Sequence, residues 1–189
     1  MPNSTVSKTL PSHLQEPIVP AAHGETQPYG TARRNPLALN ADAAAASIDN
    51  LNQLLADTLT LASLYKKHHW QASGPHFYSM HLLFDKHYEE QGALADILAE
   101  RVQTLGGVSI AMAHDVADQT LIPRCPKGRE DAENQVKRLL QAHEIILLEA
   151  GAMARESAEH GDLGTNDIIV SNLIRLNELQ VWFIVEHIQ

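Results

Sequence analysis

Cysteine is almost missing from this chain: Cys125 is the only one in 189 residues. A disulfide framework is therefore excluded, and a reducing compartment is the expected setting. Set between Pro123 and Pro126, the thiol reads as an inert loop residue rather than a nucleophile. Also missing are a run of about 18 apolar residues and the basic-then-apolar opening of a signal peptide, so a soluble intracellular protein without a membrane segment is expected. Positive charge is scarce as well. Lys and Arg number 14 against 23 Asp and Glu, a formal net charge of −9. This argues against a body that grips nucleic acid through a broad basic face; such a surface attracts cations instead.

Proline is confined. Six of nine, Pro2, Pro11, Pro17, Pro20, Pro28 and Pro36, fall in the first 36 residues, among Ser, Thr, Gln and Gly without sustained periodicity. That composition predicts a disordered extension over residues 1–42, followed by one domain over 43–189. From there helical spacing takes over: Ile48, Leu51, Leu55, Leu59, Ala62 and Tyr65 carry a first helix to His69. "SGP" at 73–75 interrupts it. Phe77, Met80, Phe84, Gln91, Leu94, Leu98, Val102 and Leu105 then mark a second helix of about 30 residues, closed by Gly106 and Gly107. A third helix is expected from Arg129 to Glu159 and a fourth from "HGDLGTND" to Ile188. The link over 108–128, with one short helix at 110–117, is too long for a tight hairpin and suits a lengthwise crossover. Four long helices with one long central connection describe an all-α, ferritin-like four-helix bundle, although other four-helix proteins share the pattern.

On the second helix His81 and Asp85 are four apart, Asp96 and Glu100 are four apart, and eleven residues separate Asp85 from Asp96. At about 100° per residue all four lie along one stripe, beside the apolar one. Asp85 and Asp96 stand roughly 16 Å apart along the axis, so they cannot close on one ion within a single chain. The spacing reads the same in both directions. An antiparallel partner helix would thus set His81 opposite Glu100 and Asp85 opposite Asp96, as a two-fold homodimer does automatically. Gly92 sits near the symmetric point and lets a partner come close, while His69 on the first helix could complete each site. Imidazoles with carboxylates suit iron better than the thiolate sets of structural zinc. Each residue alone has a plainer explanation, a solvated charged face or a core histidine; the joint register does not. No histidine has a glutamate three residues before it, which argues against the Glu-x-x-His di-iron centre inside one bundle.

The stretch "KHHWQASGPHFYSMHLLFDKHYEEQGALADILAERVQTLGG" closely resembles the signature of the Dps family, ferritin-like miniferritins that protect DNA in starved bacterial cells. The resemblance extends over about residues 43–188 and includes the ending "VWFIVEHI". It implies a homododecameric shell in the bacterial cytoplasm, free or associated with the nucleoid, with ferroxidase centres holding two iron ions each at the two-fold interfaces. His69, His81 and Asp85 would come from one subunit, and Asp96 and Glu100 from the other. The implied reaction oxidises Fe(II) with hydrogen peroxide or oxygen and stores a ferric mineral in the cavity. Trp70 resembles the tryptophan beside the centre that supplies or traps an electron, although a packing aromatic would look the same. Asp162 and Asp167 are the nearest counterparts of the acidic residues that line iron-entry pores; the count from Asp167 to Trp182 is one residue longer than the common pattern, and helix caps recruit carboxylates in any case. Direct DNA binding is the weakest implication, since residues 1–40 offer only Lys8, Arg33 and Arg34 against Glu16 and Glu25. The competing reading is a nucleoid-compacting protein with little ferroxidase activity.

Overall fold

The computed structural model describes Val19 and residues 24–188. Their regular structure is helical: α1 (Ala41–Gln71), α2 (Phe77–Thr104), α3 (Ala113–Gln119), α4 (Ala132–Glu159), α5 (Leu163–Asp167), a π-helical segment Ile168–Ile174 and α6 (Arg175–Val185). The last three run on as one rod, and with α1, α2 and α4 they make the four-helix bundle. Ends are set by local chemistry. Asn40 caps α1 by accepting from Ala43 N at 2.8 Å, and Asp131 caps α4 by accepting from Asn134 N at 2.8 Å. The expected start of α4 at residue 129 therefore moves to 132.

The interior is built from the apolar stripes. Leu51, Leu54, Leu61, Phe84, Leu98, Leu139, Ile146, Ile169 and Leu173 are fully buried, each contributing about 1.5–3 kcal/mol of hydrophobic stabilisation. Two buried polar residues of α1 tie down the crossover. Asn52 donates to Val108 O and accepts from Ile110 N, while Asp57 accepts from Thr120 Oγ1 and Leu121 N. Anchored in this way, Ile110 is buried outside any helix, and the short helix expected at 110–117 forms at Ala113–Gln119 instead.

The end of the chain departs from expectation in two ways. The last helix ends at Val185 rather than Ile188, and its middle is π-helical over Ile168–Ile174. A π turn lets a helix absorb one extra residue while keeping the faces of its later turns in place. By length and composition this rod, Leu163–Val185, would pass for a membrane span. Ile169, Leu173, Asn177, Gln180 and Ile184 are nevertheless buried in the bundle.

Of the extension expected to be disordered over 1–42, residues 1–18 and 20–23 lie outside the described residues, and 41–42 already belong to α1. Residues 24–40 form neither helix nor strand, yet they are bound to the body. Arg33 N and Gln27 Nε2 donate to Gly106 O at 2.8 and 2.9 Å, Asn35 Nδ2 donates to Thr104 O at 2.7 Å, and Tyr29 OH reaches Gln119 Oε1 at 3.1 Å. Carbonyls at the C-terminal end of α2 that lack helical partners supply this strap's acceptors. Gly106 is indispensable here: it has φ +90°, and a Cβ would lie 2.0 Å from Arg33 O. Gly106→Ala is expected to lower stability by about 1–3 kcal/mol and release the strap. Chemical denaturation and proteolysis near Arg33 would check this; unchanged stability and protection would refute it.

Candidate metal centre

The short link between α1 and α2 brings the last turn of one against the second turn of the other. His69 and His81 consequently stack, with ring centroids 3.8 Å apart and 19° between planes. The two rings are locked reciprocally: His69 Nδ1 lies 2.7 Å from His81 O, and His81 Nδ1 lies 2.9 Å from His69 O. A carbonyl oxygen only accepts, so each Nδ1 carries the proton and each Nε2 keeps its lone pair. That is the tautomer a metal-binding histidine needs, held in place by the backbone. Asp85 joins them, with Oδ1 3.8 Å from His69 Nδ1.

Sequence reasoning passed over Lys66. Three residues before His69 and on the same side of α1, it forms an ion pair with Asp85 Oδ1 and lies 4.5 Å above the Tyr88 ring. Its hydrogen bond is the main influence holding the Asp85 carboxyl below the usual carboxylate range, against a smaller upward push from desolvation. The cation therefore sits where a metal would draw on Asp85. A partly exposed ion pair is worth about 0.2–1 kcal/mol, so Lys66→Met is expected to tighten Co(II) binding up to about fivefold. Calorimetric titration of the assembled protein checks it; weaker binding would show that Lys66 supports the site instead of competing for it.

The other expected residues lie apart from this trio. Asp96 and Glu100 are exposed further along α2, and Trp70 is 70% exposed next to His69. On the same side of α2, Tyr78 and Leu82 are 71% and 49% exposed, and a Cβ on Gly92 would meet nothing within 4 Å. Among the described residues, no three His, Cys, Asp or Glu side chains of the one chain are disposed around an ion position. What a single chain presents is a trio and, separately, a carboxylate pair on an outward face that also bears large apolar groups.

Asp162 and Asp167 differ in their surroundings. Asp162 is buried and caps α5: it accepts from Thr165 N at 3.0 Å and Thr165 Oγ1 at 2.6 Å, and Arg101 Nη2 donates to it at 2.6 Å. Burial alone would raise its carboxyl, but the Thr165 hydrogen bonds, with help from Ser47 and Arg101, outweigh this and hold it low. The cap reading fits Asp162 and the pore reading does not, because its carboxylate is turned into the body. Asp167 stays exposed and accepts from Ser171 Oγ at 2.8 Å.

A model of the ferritin-like domain matches residues 48–189. An uncharacterised protein of Kitasatospora aureofaciens is 49% identical over 138 residues, spanning 73% of this chain and 92% of that protein. A protein of Halobacterium salinarum named DNA protection during starvation protein is 34% identical, over 75% of this chain and 78% of its own. Among solved structures, DpsC from Streptomyces coelicolor superimposes with a TM-score of 0.86 at 48% identity, covering 87% of this chain and 96% of that one.

Proposed function

Since the chain belongs to the ferritin-like family, and within it to the Dps proteins, we propose that it is a ferroxidase that takes up Fe(II), oxidises it between paired subunits and stores the product in a dodecameric shell. The observation that carries this reading is the reciprocal lock of His69 and His81, which leaves both Nε2 atoms with their lone pairs, while the Asp85 carboxylate lies 3.8 Å from His69 Nδ1.

An antiparallel two-fold pairing of α2 with a second copy completes the set, adding Asp96 and Glu100 from the partner to His69, His81 and Asp85. The outward Tyr78 and Leu82 then gain a covering surface, and Gly92 admits the close approach. Fe(II) arrives as substrate. Imidazoles hold it, while the carboxylates, being harder donors, favour Fe(III) and so pull the reaction forward. Two Fe(II) ions give one electron each to hydrogen peroxide; its O–O bond breaks, two protons are taken up and two waters form. Removing iron and peroxide together protects DNA from hydroxyl radical, and this protection needs no grip on the duplex by the acidic body.

The test is anaerobic addition of Fe(II) to the assembled protein, followed by peroxide. Rapid ferric absorbance with peroxide consumed at about half the iron, as the electron balance above requires, is expected at an iron-ligating histidine/carboxylate centre. Oxidation no faster than in buffer would overturn the proposal, as would a protein that is monomeric by light scattering.

A further inference from the structure

One helical turn before His69 on α1, a chain of polar groups runs through the core. Tyr65 and His143 are both fully buried, and Tyr65 OH lies 2.6 Å from His143 Nε2. On the other side of the ring, His143 Nδ1 is 2.8 Å from Asn177 Oδ1, and Asn177 Nδ2 in turn donates to Leu173 O at 2.8 Å. These contacts fix every proton. Asn177 Nδ2 donates to the Leu173 carbonyl and Gln91 Nε2 donates to Asn177 Oδ1 at 3.2 Å, so that oxygen also accepts from Nδ1–H, and His143 Nε2 is the acceptor for the phenol. A phenol donating to an imidazole in a dry site is suited to losing an electron and a proton together. The oxidised phenol is a far stronger acid than the neutral one, and the base that takes its proton is already in contact.

Position supports the same role. Tyr65 precedes His69 by one helical turn, about 6 Å of rise. Its ring lies 6.0 Å from that of Phe84, the neighbour of Asp85. Of the chain's four tyrosines, Tyr65 alone is buried; Tyr29, Tyr78 and Tyr88 are exposed. Burial first, and then the charge of Glu90, keeps the phenol protonated until it is oxidised, and burial keeps the imidazole neutral and able to accept.

From this geometry we propose that Tyr65 is an internal electron donor to the centre and that His143 is its proton acceptor, used when only one Fe(II) is bound; the inference rests on the ferroxidase reading. Peroxide then takes one electron from Fe(II) and one from Tyr65. Its O–O bond breaks, two solvent protons complete two waters, and the phenol proton crosses to His143 Nε2. The products are Fe(III), a phenoxyl radical held in the core and an imidazolium, so no hydroxyl radical is released.

The experiment is freeze-quench electron paramagnetic resonance on the full-length assembled protein, given less Fe(II) than fills the paired sites and then peroxide. A phenoxyl signal that narrows with ring-deuterated tyrosine is expected. It should be lost in Tyr65→Phe and largely lost in His143→Gln, whose amide takes up no proton. Should Tyr65→Phe fail to assemble, the combined variant Tyr29→Phe, Tyr78→Phe and Tyr88→Phe serves, and its signal should persist. A signal that survives Tyr65→Phe, vanishes in the combined variant or is purely tryptophanyl would overturn the inference. Normal paired oxidation without a phenoxyl signal sinks this proposal alone, whereas no iron oxidation in the wild type sinks the ferroxidase reading and this one with it.

Discussion

Asp85→Ala and Glu100→Ala should each slow Fe(II) oxidation by at least about a hundredfold, because either change removes a carboxylate that stabilises the ferric product. The two residues are far apart in one chain, and only one of them neighbours the histidines, so equal losses would be hard to explain without a partner subunit. Stability separates chemistry from folding. Glu100 is exposed and its carboxylate makes no hydrogen bond among the described residues, so Glu100→Ala should change unfolding free energy by no more than about 0.5 kcal/mol. Asp85→Ala also frees Lys66, whose exposed alternative is water. Stopped-flow ferric absorbance together with chemical denaturation reads both. A Glu100→Ala protein with full activity would place Glu100 on an ordinary solvated face.

Lowering the pH from 7 to 5 should destabilise the fold by about 3–5 kcal/mol, through three histidines sealed in the bundle and less about 1 kcal/mol regained at Glu149, whose carboxyl burial and then Asp57 raise to about 7. Burial lowers His143 to about 3, and His68 and His87 to about 4. All three are fully buried, and among the described residues neither nitrogen of His68 or His87 has a hydrogen-bond partner. Proton counting gives the sign. An unfolded histidine binds a proton near pH 6.5, whereas these stay neutral in the fold until pH 3–4. Between those limits the unfolded state holds more protons, so stability is complete above pH 6.5 and erodes as pH falls, by about 2 kcal/mol per residue at pH 5. Denaturation midpoints at pH 7 and pH 5, with an unchanged slope, give the difference. A loss under about 1 kcal/mol would mean that the buried rings are protonated in the native protein.

The sequence announced its helices because apolar residues repeat at helical spacing, whereas the caps Asn40 and Asp131, which set where α1 and α4 begin, leave no periodic mark. It also announced the trio and the separate carboxylate pair, since spacing along a helix fixes which side chains share a face. Other features left no periodic trace. The strap over residues 24–40 is held by hydrogen bonds to helix-end carbonyls, which any polar, proline-rich segment can supply. The Tyr65–His143 pair joins residues 78 positions apart, and only the packing of α1 on α4 brings them together. Lys66 has no sequence signal for its pairing with Asp85, because the two residues lie on different helices.

Shared ownership of the centre is tested most directly by mixing subunits. One variant carries His81→Ala and Asp85→Ala, the other Asp96→Ala and Glu100→Ala, and each alone should be inactive. Unfolded together and reassembled, they form mixed pairs in which one centre regains every ligand and the other loses all four. Random pairing should restore about a quarter of the wild-type centres and a matching share of Fe(II) oxidation. Reassembled mixtures that stay as inactive as their parents, with mixed pairs verified by mass spectrometry, would contradict a centre built across two chains.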